Sequence, residues 1–333
     1  MSQLADSIAI RGQRIKNRIV MPPMVCFSFR GDNGGLYGEQ HVEHYSRRAA
    51  GGTGLVIIQA TPVFGAAGQL KAWSAEQLRP LVTIARNCHD QGATVMMQLA
   101  GGDIDINELS TEQVHALQAD CVAAALRVRE AGFDGVEYHF AHGYTFCRFF
   151  DPGANRRTDE YGGALENRLR ILTEILPQIR AGVGEDFIIG VRMGSNIPDT
   201  AGAVAVARAL EAAGVDLLHI SFGMTPPTEV PADFPASAVA YGGSRIKQAV
   251  GIPVIAVGEI FTPETARFLI ETSQADLVAV GRGMLADEDW AAKALAGAAV
   301  RQCRNCGRKS RGCSWFTDHT RCPARKQRGQ DIQ

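Results

Sequence analysis

The chain has 333 residues, of which 46% are hydrophobic and 21% charged, and its formal net charge is -1. Such a chain can bury a large core, which excludes a disordered protein, and its near-neutral charge gives no global pull toward nucleic acid or an anionic membrane. No apolar run approaches the roughly 18 residues that span a bilayer, and MSQLADSIAI has no signal-peptide character, so we expect a cytoplasmic globular protein.

Taken in chain order, short β-rich runs recur at 18–23 (RIVMPP), 54–60 (GLVIIQA), 94–99 (TVMMQL) and 135–139 (GVEYH), then at 187–193 (FIIGVRM), 216–221 (DLLHIS), 253–258 (PVIAVG) and 276–281 (DLVAVG). They are nearly continuous in hydrophobic residues, as parallel strands covered on both faces should be. Helix-length amphipathic segments lie between them at 74–91, 110–131, 166–182, 200–213 and 263–271. AAGGTGLV, EAGFDGVE and EAAGVDLL each place glycine between a helix and the next strand, the expected helix stop. Eight β/α units predict an α/β fold, a (β/α)8 TIM barrel over residues 1–297, with a short Cys-rich basic tail over 298–333. An open doubly wound sheet is the rival. It needs a glycine-rich phosphate turn after its first strand, where this chain has MPPM.

In a barrel, chemistry sits at the C-terminal ends of the strands. Those ends carry Pro22, Pro23 and Met24, then Ala60, Gln98, His139, Arg192, Ser221, Gly258, and Gly281 followed by Arg282. Gln98, His139 and Arg192 are polar groups that strands seldom carry, and they should converge on one rim. Glycines and an arginine after the last two strands suit a phosphate, which takes backbone N–H groups and a cation. The stretch EYHFAHGYTFCRFF (137–150) adds His142 and Tyr144. By themselves the two histidines leave a metal pair, an oxygen clamp and simple packing open. They straddle a strand end with no acid between them, unlike the H-E-x-x-H zinc helix. In the tail, Cys303, Cys306, Cys313 and Cys322 run C-x2-C-x6-C-x8-C. A cytoplasmic chain seldom spends such a cluster on disulfides, so iron–sulfur or zinc is the sharper reading beside free thiols.

KNRIVMPPM (16–24), HFAHGY (139–144), NRRTDEYGG with ENR (155–168), and PVIAVG with ADLVAVGR (253–282) resemble the old yellow enzyme family of FMN-dependent ene-reductases. The branch nearest in character holds 2,4-dienoyl-CoA reductase and the enoate reductases. The resemblance implies FMN as cofactor and NAD(P)H as reductant, with NADH and NADPH both open. It implies that Pro23, Met24 and Val25 line the flavin ring, and that Ala60 meets the pyrimidine side through its backbone. It places Gln98 on the pyrimidine carbonyl and N3, Arg192 beside N1 and O2, and Gly258, Glu259, Gly281 and Arg282 on the phosphate. His139, which also borders the flavin, and His142 would hold the substrate oxygen, and Tyr144 would give a proton. Reduced FMN delivers hydride to the β-carbon of an activated alkene, so charge develops on the conjugated oxygen and positioned donors stabilise it.

The tail cysteines match the place of a [4Fe-4S] motif in that branch, but Cys313 departs from the usual spacing of the third ligand. The third strand continues as QLAGGDIDINELSTEQ, without the His, the Arg and the long excursion of relatives. A wider mouth is expected, suited to a bulky polycyclic, flavone-like enone. An amine dehydrogenase on the same scaffold is the alternative; it would need an aromatic cage, toward which the segment after the sixth strand, GMTPPTEVPADF (223–234) with Phe222 before it, offers only Phe222 and Phe234. Cys26 reads as an ordinary buried thiol, because Val25 holds the position after Pro-Met. Arg156, Asp159 and Arg168 are expected to knit their loop by ion pairs. The partners expected are an enone and NAD(P)H, with a homo-oligomer left open.

Overall fold

Each of the eight apolar runs becomes a parallel strand of one closed barrel in the computed structural model, which describes residues 2–29, 37–64, 75–306 and 313–325. A hairpin, β1 (Ile8–Ile10) and β2 (Gln13–Ile15), comes first. The barrel strands are β3 (Ile19–Met21), β4 (Leu55–Pro62), β5 (Thr94–Ala100), β6 (Gly135–Phe140), β7 (Ile188–Gly194), β8 (Leu217–Ser221), β9 (Val254–Val257) and β10 (Leu277–Ala279). Strands β3 to β10 are neighbours in sequence order, and β10 pairs with β3 to close the ring. Between them run α1 (Glu39–Ala50), α2 (Ala75–Asp90), α3 (Thr111–Glu130), α4 (Thr145–Phe150), α5 (Leu165–Thr173), α6 (Leu176–Val183), α7 (Thr200–Ala212), α8 (Ala238–Lys247) and α9 (Pro263–Glu271). Short helices α10 (Arg282–Ala286), α11 (Trp290–Leu295) and α12 (Ser314–Thr317) complete the chain.

The single helix expected over 166–182 is two. Pro177 enters at the first turn of α6, where its missing N–H costs nothing, whereas inside one long helix it would break the hydrogen-bond ladder. The hairpin escaped sequence reading. Its tight turn places Arg11 and Gly12 at φ 51° and 80°, the left-handed pair that a two-residue hairpin needs. Ile10 and Ile15 cap the lower barrel, packing with Val20, Leu55, Ile57, Met96, Ile188 and Leu277. This apolar layer fills one end of the barrel and leaves the polar strand ends at the other.

The loop 155–163 folds around one arginine. Arg157, not the expected Arg156, pairs with Asp159, and its Nη1 donates to the carbonyls of Ile106 and Leu109 at 2.5 and 2.6 Å. Arg156 contributes its backbone N–H to Asn107 Oδ1, and Arg168 donates to the Phe150 carbonyl. A Cβ on Gly162 would lie 1.9 Å from the Arg157 carbonyl oxygen. Gly162→Ala is therefore expected to cost about 1–3 kcal/mol by forcing the backbone apart, read as a lower urea midpoint.

The tail docks on the barrel. Trp315, 1% exposed, meets Phe29 and His44 at 5.6 and 5.1 Å between ring centroids. Arg325 pairs with Glu288 at 2.5 Å, and the Arg301 backbone N–H donates to Asp287. Among the described residues, no helix is long and apolar enough to cross a membrane.

Candidate active site

Side chains alternate along a strand, so residues two apart share a face. On the inner face, above the apolar layer, this brings together Gln98 of β5, Glu137 and His139 of β6, Arg192 of β7, and His219 and Ser221 of β8. In register, Gln98 lies beside Glu137, His139 beside Arg192, and Arg192 beside His219. All six are buried. The three polar strand residues expected to converge do converge.

Glu137, His219 and the role of Ser221 were not anticipated. Counting back two from His139 finds Glu137, and back two from Ser221 finds His219. Glu137 is the hub. It accepts from Gln98 Nε2 at 2.7 Å and faces His219 Nδ1 at 2.7 Å. It also holds the charge of the buried Arg192 guanidinium up against the pull of burial, which lowers it. With its amide nitrogen bound to Glu137, Gln98 keeps Oε1 to accept from an imide N–H. That is the donor set a flavin pyrimidine presents, and it fits the expected role.

His139 and His142 stand 4.9 Å apart between ring centroids. Burial, then the positive charge of Arg192, pushes His139 down to about 3 and His142 down to about 2. Both rings are therefore neutral near pH 7. His142 adopts φ 65°, a left-handed backbone that only strong surroundings impose on a histidine. Those surroundings are the end of β8: His142 N–H donates to the Phe222 carbonyl at 3.0 Å, its ring lies 4.4 Å from that of Phe222, and its Nε2 is 2.7 Å from Ser221 Oγ. Tyr144 caps α4, is 46% exposed, and lies 5.9 Å from His139 between ring centroids.

These histidines make stability depend on pH. His41, held near 4 by burial, behaves alike. The unfolded chain takes up protons below about 6.5 while the folded rings stay neutral, so stability falls as pH drops from there. Urea titrations should show about 1.4 kcal/mol lost per pH unit for each such ring until its folded value is reached.

At the first strand end, Pro23 and Met24 are buried and Val25 is half-buried. The place for a Cβ on Gly281 lies 3.4 Å from Met24 Sδ, which shows how closely the two ends meet. The β4–β5 register slips between Ile58 and Thr61, a bulge that carries Ala60. Cys26 is 4% exposed and burial pushes its thiol up to about 12, the setting of the ordinary buried thiol read from sequence. At the last two strand ends, Gly258 has φ 121°, a conformation open to glycine. Arg282 stacks 4.9 Å over Phe261 and pairs with Glu259 at 3.5 Å. A carboxylate repels phosphate, so Glu259 can serve a phosphate only through its backbone.

The four tail cysteines come close to one another. Cys303 and Cys313 feel the charges of the other tail thiols, so the four lie in one neighbourhood. Yet among the described residues no three His, Cys, Asp or Glu side chains group so as to hold a metal ion. Cys303 Sγ accepts from the Asn305 N–H at 3.4 Å, Cys306 Sγ lies 3.8 Å from Ser314 Oγ, and Cys322 is buried.

Residues 3–108 and 102–300 match the family described as NADH:flavin oxidoreductase / NADH oxidase. The chain is 34% identical to an NADH oxidase of Thermoanaerobacter brockii, over 88% of this chain and 51% of that protein, so it spans about half of that relative's length. It is 33% identical to an NADPH dehydrogenase of Listeria innocua, over 88% of this chain and 94% of that one. Its fold is similar to that of 2-naphthoyl-CoA reductase (TM-score 0.78, 22% identity, 89% of this chain and 52% of that one). It is also similar to histamine dehydrogenase from Rhizobium sp. 4-9 (0.77, 21%, 91% and 49%) and to an old yellow enzyme homologue from Zymomonas mobilis (0.75, 24%, 96% and 99%).

Proposed function

Because the chain belongs to the NADH:flavin oxidoreductase / NADH oxidase family, and is an oxidoreductase of old yellow enzyme type, we propose that it holds FMN in the barrel mouth, takes electrons directly from NADH or NADPH, and reduces the C=C bond of an α,β-unsaturated carbonyl compound. The observation that carries this reading is the pair of neutral imidazoles, His139 and His142, beside the buried cation Arg192 at the strand ends. Bound FMN supplies the hydride.

The chain's own residues do the rest. Gln98 and Arg192 hold the pyrimidine edge, with Ala60 contributing backbone. Pro23, Met24 and Val25 border the ring. Gly258 and Gly281 would offer backbone N–H groups to the phosphate, which Arg282 and the Glu259 backbone hold. His139 and His142 donate to the carbonyl oxygen, where negative charge develops as the β-carbon is reduced, and each donor contributes most in that transition state. Arg192 adds a fixed positive charge. Tyr144, exposed at the mouth and 5.9 Å from His139 between ring centroids, gives a proton to the α-carbon.

Tyr144→Phe tests the last role. We expect NAD(P)H to reduce the bound flavin as fast as in the wild type, while enone-driven reoxidation slows by about 10²–10⁴-fold in stopped flow. Equal slowing of both half-reactions would remove Tyr144 from the proton path.

A bulky polycyclic substrate is favoured by the short connection after β5. Gly102 accepts from Thr145 N–H at 3.2 Å, and Ile104 is tied to Thr145 and Arg148 at 2.8 and 2.7 Å, so the connection lies down on α4. A polycyclic enone is expected to show higher kcat/KM than a cyclohexenone; the reverse order would sink this part. Among the described residues, Phe222 and Phe234 do not form the cage that the amine dehydrogenase alternative needs. Phe222 packs on His142, while Phe234 packs on Tyr241 and Phe268 at 5.1 and 5.5 Å.

A further inference from the structure

A clamp built of neutral imidazoles works only if each ring keeps its proton on the nitrogen that faces the substrate. A neutral imidazole has one N–H and one bare nitrogen, and the wrong assignment would present a lone pair to the carbonyl oxygen. Something must therefore choose the tautomer of His142, and the hydrogen bonds around Ser221 make that choice.

Ser221 closes β8 with its side chain in the buried polar layer, 3% exposed. Its hydroxyl has two side-chain neighbours among the described residues. One is His142 Nε2 at 2.7 Å, and the other is Arg192 Nη2 at 3.5 Å. A guanidinium only donates, so Arg192 cannot take the hydroxyl hydrogen. Among the described residues, the single acceptor within reach of that hydrogen is His142 Nε2. If His142 carried its proton on Nε2, two donors would point at Ser221 Oγ, and the buried hydroxyl hydrogen would have no acceptor. Leaving such a group unmade is the costly arrangement.

We propose that Ser221 is a positioning residue that relays the donor-only character of Arg192 to His142, fixing the ring with Nε2 bare and Nδ1 protonated. Hydrogen runs in one direction along the chain: Arg192 Nη2–H to Ser221 Oγ, Ser221 O–H to His142 Nε2. His142 Nδ1–H is left to donate to the substrate oxygen. That nitrogen has no protein partner among the described residues and is not among the sealed, unpartnered interior atoms. The backbone agrees with this design. His142 N–H to the Phe222 carbonyl and the ring contact with Phe222 lock the strained residue to the same strand end that holds Ser221. The substrate role of Nδ1 rests on the ene-reductase reading; the tautomer itself does not.

The test is long-range 1H–15N correlation spectroscopy at pH 7 on the whole protein labelled with 15N-histidine. The His142 signals are assigned by their loss in His142→Asn. The expected wild-type result is a pyridine-type Nε2 and a pyrrole-type Nδ1. In Ser221→Ala the preference should weaken or reverse, and Ser221→Thr, which keeps the hydroxyl, should restore it. A pyrrole-type Nε2 in the wild type would overturn the proposal, as would a Ser221→Ala spectrum identical to the wild type. In turnover, Ser221→Ala should lose about 10²-fold in kcat with enone KM little changed, and Ser221→Thr should recover most of it. A protein with the expected tautomer that reduces no enone would sink the ene-reductase reading and leave the relay standing.

Discussion

Glu137→Leu is expected to destabilise the protein by about 3–5 kcal/mol, the range for removing one partner of a buried charged pair. Its carboxylate lies 1% exposed in the barrel and serves three groups at once. Gln98 Nε2 and His219 Nδ1 each lie 2.7 Å from it, and it is the carboxylate that offsets the buried charge of Arg192. Leucine fits the space of the side chain but leaves two donors without an acceptor, and the Arg192 guanidinium without its opposing charge, in a buried interior. Glu137→Gln keeps the shape. It can still accept from Gln98, and His219 can accept from its amide by changing tautomer, so only the charge facing Arg192 is lost. We expect the glutamine variant to lose clearly less, within about 1–3 kcal/mol. Urea unfolding of both variants checks this. Equal losses would mean that the charge, and not the hydrogen bonds, holds the layer together.

His142→Leu should lower kcat for enone reduction by about 10²–10³-fold, the usual effect of deleting one donor that meets charge as it develops. The rate of flavin reduction by NAD(P)H should change much less, because no oxyanion forms in that step. His142→Asn should fall between the two, since its amide still donates but from a different reach. Rapid-mixing kinetics of the separate half-reactions give both numbers. Because the ring is held neutral down to about pH 2, the wild-type oxidative half-reaction should show no histidine ionisation between about pH 5 and 8.

Much of this architecture is legible in the sequence, and the reason is physical. Strands buried on both faces must be apolar along their length, so runs such as TVMMQL and FIIGVRM stand out, and their β5 and β7 limits fall within one residue of those read. Polar residues inside such runs are costly to bury, so Gln98, His139 and Arg192 announced themselves. Glu137 and His219 carried the same signal. They were missed because Glu137 sits two residues from a more conspicuous histidine and His219 stands two residues short of a strand end. The hairpin over Ile8–Ile15 was missed because its strands are three residues each, too short for a period to show. The break before α6 needed Pro177 to be weighed against an otherwise continuous helical pattern. The tail was hardest. Spacing between cysteines says nothing of where Trp315 and Arg325 anchor the chain.

The most direct test of the central claim is an anaerobic two-step titration of the purified, FMN-loaded protein. NADH or NADPH should bleach the yellow absorption of the bound flavin. Addition of an α,β-unsaturated ketone should then restore it, with one saturated ketone formed per flavin reoxidised. A flavin that stays bleached with every enone offered, while an amine reduces the oxidised form, would contradict the account.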